Sequence, residues 1–112
     1  MNRLLSILAL ALVVSAGGDW LTGNWQAEVH GEAKSFPIVF HFKVEANDIH
    51  GTIEFPSHDL EFPIAHGTVR GNEVSFQAAG LWHGTLDGKS LKLTRELDGG
   101  KKQVMVASRT AH

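Results

Sequence analysis

The sequence contains no cysteine and no tyrosine, and no strong excess of either charge. Without cysteine the chain has no disulfide, so its apolar core must supply most of its stability. A formal net charge of −2 gives no basic surface of the kind that binds nucleic acid. Beyond residue 16 no segment has helical periodicity, and the remaining chain is long enough for only one domain.

The first residues have the features of an export signal. Asn2-Arg3 is positively charged, Leu4 to Val14 is almost entirely apolar, and Val14-Ser15-Ala16 provides small residues for cleavage. The apolar run is shorter than the roughly 20 residues that a spanning helix needs. We therefore expect a signal peptide over residues 1–16 and a single domain over 17–112. The mature protein is then periplasmic or secreted and has no membrane span.

One five-residue pattern occurs three times in the chain. Its copies are Ile49-His50-Gly51-Thr52-Ile53, Ala65-His66-Gly67-Thr68-Val69 and Trp82-His83-Gly84-Thr85-Leu86. In the later two copies a strand, a glycine-containing turn and a second strand follow each other without a gap. The repeat therefore indicates a chain built mainly of hairpins.

Alternating apolar residues define the strands. Phe36, Ile38, Phe40 and Phe42 fall at every second position, as expected for a strand with one buried face. We predict eight strands, over 22–30, 36–45, 49–55, 60–69, 73–79, 81–87, 90–96 and 102–109. Because every connection is of hairpin length, an all-β, antiparallel up-and-down barrel is the simplest arrangement. A flattened two-sheet sandwich is the alternative.

Gly23 and Trp25 open the first predicted strand, and Arg109 ends the last. This pattern resembles the calycin superfamily, the avidin- and lipocalin-type barrels. The resemblance implies that Arg109 lies over the Trp25 ring and that these three residues close one end of the barrel. The hairpins also resemble small secreted β-modules of soil bacteria, which occur alone or behind hydrolases.

The sequence departs from those families in ways that matter for function. Ala27 follows Trp25 where avidin-like proteins have polar residues for biotin, and the tyrosine of that pocket is absent. The outer helix and further motifs of lipocalins are absent as well. Resemblance of fold therefore does not bring biotin binding with it.

Histidines raise the possibility of a metal site. His41 and His50 become diagonal neighbours on the outer face if residue 43 pairs with residue 50, and His66 then falls near His50. Three imidazoles could bind Zn²⁺ or Cu²⁺. A register change of one residue would move His66 to the other face. We keep His41, His50 and His66 as a weak alternative and expect no cofactor.

No residues are predicted to be catalytic. Ser57-His58-Asp59 contains the residue types of a hydrolase triad, but chain neighbours cannot form that arrangement and the segment reads as a turn. The carboxylates are scattered singly. Neither a phosphate loop nor a nucleophile elbow occurs.

The aromatic residues predict the position of a ligand. Small eight-stranded barrels are either filled by side chains or leave room for one small ligand. The first hypothesis is a small apolar or amphipathic molecule bound in the open end, against Trp82, Phe40, Phe42 and Phe76. The alternative is a structural or protein-interaction module with a solid core and a protein partner.

Overall fold

The computed structural model describes residues 20–30 and 34–110, which form β-strands joined by turns and short 3-10 segments. The predicted signal peptide lies outside the described residues. Within these two ranges no helix is long and apolar enough to cross a membrane. The strands are β1 (Gly23–His30), β2 (Ser35–Glu45), β3 (Asp48–Phe55), β4 (Leu60–Pro63), β5 (Ala65–Arg70), β6 (Glu73–Gln77), β7 (Leu81–Asp87), β8 (Ser90–Glu96) and β9 (Lys102–Arg109).

The strands form one closed antiparallel sheet. Most neighbours in the sheet are neighbours in the chain, the exception being β5, which pairs with β3, and β9 returns to pair with β1. The barrel wall is eight strands around, although nine strands are present, because β4 and β5 lie one after the other along β3 and together occupy one position. This confirms the predicted up-and-down barrel over the two-sheet sandwich. Closure pairs strands that would otherwise be exposed edges.

A bulge interrupts the predicted strand over 60–69. Ile53 lies opposite Phe62 of β4, whereas Ile49 lies opposite Gly67 of β5, so the register changes by one residue between them. Nearby, His66 adopts the left-handed conformation with a φ of 53°. Such a bulge bends a strand and increases its twist, which is how a long strand follows a closing barrel wall.

The apolar positions of the strands meet inside the barrel, as their alternation predicts. Four of the six phenylalanines are buried there, and the other two, Phe36 and Phe62, pack against the core from half-buried positions. The described residues include no buried polar or charged side chain. The interior is therefore an apolar core of the kind that burial of hydrophobic surface stabilises.

Close packing explains the glycine in the repeated five-residue pattern. A Cβ at Gly51 would lie 1.8 Å from the His41 carbonyl oxygen, and a Cβ at Gly84 would lie 2.7 Å from a Leu93 methyl carbon. At Gly67 the same atom would be 2.6 Å from a neighbouring side-chain carbon. The repeat thus marks three places where backbone and side chains approach too closely for any larger residue.

Candidate functional site

One end of the barrel, here called the Trp25 end, is formed where β1 begins and β9 ends. Trp25 lies opposite Arg109 in the ladder, and the Arg109 Cζ atom is 4.7 Å from the centroid of the Trp25 ring. Gly23 has a φ of 133°, and a Cβ there would lie 2.6 Å from an Arg109 guanidinium nitrogen. The structure therefore brings together the three residues that the resemblance assigned to barrel closure.

The segment before β1 anchors this arrangement. Arg109 donates one hydrogen bond to the Thr22 carbonyl oxygen, at 2.7 Å, and another to the Trp20 carbonyl oxygen. The Trp25 indole N–H donates to the Leu21 carbonyl oxygen at 2.9 Å. The Trp20 ring meets the Trp25 ring nearly at right angles, with centroids 6.5 Å apart. Trp20 thus covers the Trp25 end.

The four residues predicted to line a ligand pocket lie in the core and pack on one another. The Trp82 ring centroid is 5.3 Å from that of Phe40 and 5.7 Å from that of Phe76, and Phe42 lies 5.6 Å from Phe76. Their exposed fractions range from 0 to 4%. These four side chains are therefore in contact with one another inside the barrel, and their role in ligand binding stays a prediction.

The opposite end of the barrel, here called the Trp82 end, is closed by Arg95. The Arg95 Cζ atom lies 5.5 Å from the Trp82 ring centroid and 5.4 Å from that of Phe55. Gly80 has a φ of 129°, and a Cβ there would lie 3.1 Å from the Arg95 Nε atom. The end that the ligand hypothesis treats as open therefore carries a guanidinium over two aromatic rings.

Hydrogen bonds hold the Arg95 guanidinium in place. Its Nε and Nη2 atoms both donate to the Ala79 carbonyl oxygen, at 2.9 and 2.5 Å, and Nη1 donates to Gln103 Oε1 at 3.2 Å. Burial lowers the pKa of Arg95 from its ordinary value, because desolvation disfavours the charged form. Arginine nevertheless remains protonated in proteins, so the Arg95 guanidinium over the Trp82 and Phe55 rings stays positively charged.

The two ends share one local design. In each, the tryptophan indole N–H donates to the carbonyl oxygen four residues earlier, at 2.9 Å: Trp25 to Leu21 and Trp82 to Ala78. In each, an arginine lies opposite the tryptophan on the neighbouring strand. Sequence reasoning found only the first end. The Gly80-Leu81-Trp82 spacing, which repeats Gly23-Asn24-Trp25, was the signal that could have revealed the second.

Comparisons with protein-family models, with curated proteins and with solved structures find no match to this chain. The closed eight-stranded barrel is compatible with the calycin resemblance. Membership of that superfamily stays a prediction.

His41 lies on the outer wall between β1 and β3. Its Nδ1 atom is 2.7 Å from Asn24 Oδ1, and its Nε2 atom is 2.6 Å from Glu54 Oε1. Both ring nitrogens therefore face oxygen atoms, and both can donate only when the ring carries two protons. These contacts connect three neighbouring strands on the outside of the barrel.

The other two histidines of the weak metal hypothesis lie apart from this cluster. His50 is opposite Lys43, as the predicted hairpin requires, and its Nε2 atom is 3.5 Å from Glu45 Oε1. His66 is exposed at the bulge. In the described part of the chain, no three or more His, Cys, Asp or Glu residues are placed to hold a metal ion.

Two of the shallow depressions on the outer wall differ in their chemistry. The first, of about 450 Å³, crosses β5 to β8 and is lined mainly by polar side chains. These form two rows: Thr68, Ser75, His83 and Thr94, then Arg70, Glu73, Thr85 and Lys92. The second, of about 550 Å³, lies between β1 and β9 and is partly lined by Val104 and Val106.

Proposed function

We propose that the protein is an exported, non-catalytic interaction module that recognises its partner through the outer wall of the barrel. One observation carries this proposal: an arginine covers a buried tryptophan at both ends, while aromatic side chains fill the space between. This arrangement favours a binding surface on the outside of the barrel. Export is supported by the signal-like first 16 residues.

The chemistry of the outer wall supports the proposal. Hydroxyl, imidazole and charged side chains alternate across β5 to β8 at the spacing of adjacent strands, which lie about 4.8 Å apart. Such a surface offers many hydrogen bonds on a rigid frame.

A small apolar ligand inside the barrel is the competing proposal. To enter at the Trp82 end it would have to displace Arg95 from two ring faces and from the Ala79 carbonyl. It would also have to separate the packed Phe76 and Trp82 rings, whose planes are only 13° apart. Binding energy spent on these contacts lowers affinity, so we rank this hypothesis below the interaction module.

Native mass spectrometry separates the two proposals. The protein is purified from the periplasm without chelator and weighed, and its fluorescence is titrated with an apolar probe. We expect a bare chain and no saturable quenching. An organic adduct, with quenching that disappears in Trp82→Phe, would favour the internal ligand. An adduct with the mass of a metal ion would instead favour the histidine hypothesis.

The same titration on two arginine variants sharpens the result. Arg95→Ala uncovers the Trp82 end, and Arg109→Ala is the matched control at the other end. If the core is filled, neither variant gains saturable probe binding. Gain of binding in Arg95→Ala alone would show that a cavity lies behind this guanidinium, contrary to the proposal.

A further inference from the structure

The strand β9 is apolar on both of its faces. Met105 and Ala107 are buried in the core. Val104 and Val106 point away from the core and are 75% and 53% exposed. In the described part of the chain, Leu60 is the only other exposed large hydrophobic residue. A continuous apolar run of this kind is typical of a strand that is covered on both faces, so the outward side of β9 is a candidate contact surface.

Charged residues of both signs flank the two outward valines. On the β1 side, Glu28 and His30 line the same 550 Å³ depression as the valines. On the β8 side, Lys92 lies opposite Val106, and its Nζ atom is 3.3 Å from Asp87 Oδ2. Both side chains of this ion pair are more than 60% exposed, so Lys92 stays accessible to a second carboxylate. The surface formed by the valines, with an acidic residue on one side and a basic residue on the other, is here called the β9 face.

The β9 face is complementary to itself. When two copies meet face to face about a two-fold axis that runs along β9, the β1 side of one copy lies over the β8 side of the other. Val104 and Val106 then meet the same valines of the second copy, and each Glu28 faces Lys92 of the other copy. The two equivalent ion pairs fix the orientation, while the valines are removed from water.

We propose that the protein associates with a second copy of itself through the β9 face and forms a two-fold symmetric dimer. The face spans three strands about 4.8 Å apart and about eight residues long, which corresponds to roughly 400 Å² on each copy. Interfaces of this size belong to weak complexes, so we expect a dissociation constant of roughly 100 µM. The inference goes beyond the proposed function, because it leaves the wall from β5 to β7 free for another partner.

The remaining charged groups at the β9 face predict a variant that associates more tightly. Lys102, at the start of β9, lies opposite Glu96 of β8. Because the two-fold axis runs along β9, each Lys102 lies near Lys102 of the second copy, and the like charges repel. His30 faces Thr94 of the second copy, and its Nδ1 atom is 2.9 Å from Ser35 Oγ. We therefore expect Lys102→Gln to lower the dissociation constant about threefold, and a weaker dimer would contradict this axis.

Sedimentation velocity of the purified protein from about 10 µM to about 1 mM tests the dimer. The sedimentation coefficient should rise with concentration. Replacing both valines, by Val104→Thr with Val106→Thr, keeps the side-chain shape and the strand preference and should weaken association about tenfold or more. Leu60→Thr is the matched control, since it removes an exposed apolar side chain elsewhere, and should dimerise like the unchanged protein. A monomer at every concentration would overturn the proposal.

Charge reversal tests the orientation of the two copies. Glu28→Lys and Lys92→Glu each place like charges at both ion pairs of the dimer, so each variant alone should associate several-fold more weakly. An equimolar mixture of the two variants should recover the association, because positions 28 and 92 then carry opposite charges at both contacts. Circular dichroism establishes that each variant is folded before mixing. Absence of recovery in the mixture of folded variants would overturn the proposed pairing.

The outcomes separate this inference from the proposed function. A dimer that is insensitive to the two valine substitutions would show that the copies meet through another surface, which overturns the β9 face as the interface. These measurements involve neither a second protein nor the apolar probe, so their failure would leave the interaction module standing. Saturable probe binding in the core would instead count against the proposed function and leave the dimer untouched.

Discussion

The two ends of the barrel use the same parts but differ in what surrounds them. At the Trp25 end the arginine is exposed and bonds to carbonyls of the segment before β1, and Trp20 lies across the ring. At the Trp82 end the arginine is half-buried over two rings and bonds to the Ala79 carbonyl. The same arginine–tryptophan contact can therefore be an exposed cover held by the segment before β1, or part of the core.

This difference matters for stability because a cation over an aromatic ring is worth more when water is excluded. Such contacts contribute roughly 0.5–1 kcal/mol at exposed sites and about 2 kcal/mol when desolvated. The lowered pKa of Arg95 reflects the same exclusion of water, whose cost its hydrogen bonds offset. We expect the Trp82 end to be the more sensitive to mutation at every matched position.

The largest effect is expected from removal of the two tryptophans. Trp82→Ala and Trp25→Ala each delete a buried indole, and a change of this kind costs roughly 3–5 kcal/mol. Trp82→Ala should lie at the upper limit because two phenylalanine rings lose their packing partner. Urea unfolding measures both values. A Trp25→Ala protein with unchanged stability would contradict the assignment of Trp25 to barrel closure.

Alanine at the two glycines should have the next largest effect. Gly80→Ala and Gly23→Ala force a side chain into a left-handed backbone conformation, which costs on the order of 1–3 kcal/mol. A Cβ at position 80 also meets the fixed Glu96 carbonyl oxygen at 3.0 Å, whereas at position 23 it meets the movable end of Arg109. We therefore expect the larger loss of unfolding free energy for Gly80→Ala. Gly71→Ala is the control: Gly71 also has a positive φ, but a Cβ there meets nothing, so this variant measures the cost of the backbone conformation alone.

The arginines provide the sharpest comparison of the two ends. Arg95→Lys keeps the charge but loses the paired hydrogen bonds to the Ala79 carbonyl, and should cost about 1–2 kcal/mol. Arg109→Lys should cost less because its site is open to water. Thermal unfolding of both variants in parallel tests this order. Equal losses would mean that burial does not distinguish the two ends.

Trp20→Ala should have the smallest effect on stability. Trp20 is half-buried and its indole N–H donates to the Gly71 carbonyl at 3.0 Å, so its removal should cost about 1 kcal/mol. It should also expose the Trp25 ring. Acrylamide quenching is expected to increase in this variant, and Trp20→Phe serves as the control. Unchanged quenching would show that Trp20 does not cover the Trp25 end.

Much of the fold follows from local patterns in the sequence. Alternation places residues such as Ile38 and Phe40 in the core, and hairpin-length turns make each strand pair with the next. The bulge near His66 was not predicted, because a shift of one residue leaves no clear mark in an alternating pattern.

Some residues of the candidate sites could likewise be inferred from the sequence, and others could not. The closure by Gly23, Trp25 and Arg109 could be inferred from a resemblance in the sequence, and the structure places these residues together. The matching closure by Arg95 was missed, because the sequence does not state which residue lies across from Trp82. The contacts of His41 with Asn24 and Glu54 were missed for the same reason.

The sequence by itself determined that this chain is all-β, that its strands follow one another around a barrel, and which side of each strand faces inward. These properties depend on residues close in the chain. Only the tertiary structure decided that the predicted ligand residues pack on one another and that both ends of the barrel carry an arginine. Those properties depend on contacts between distant strands, whose register is set when the barrel closes.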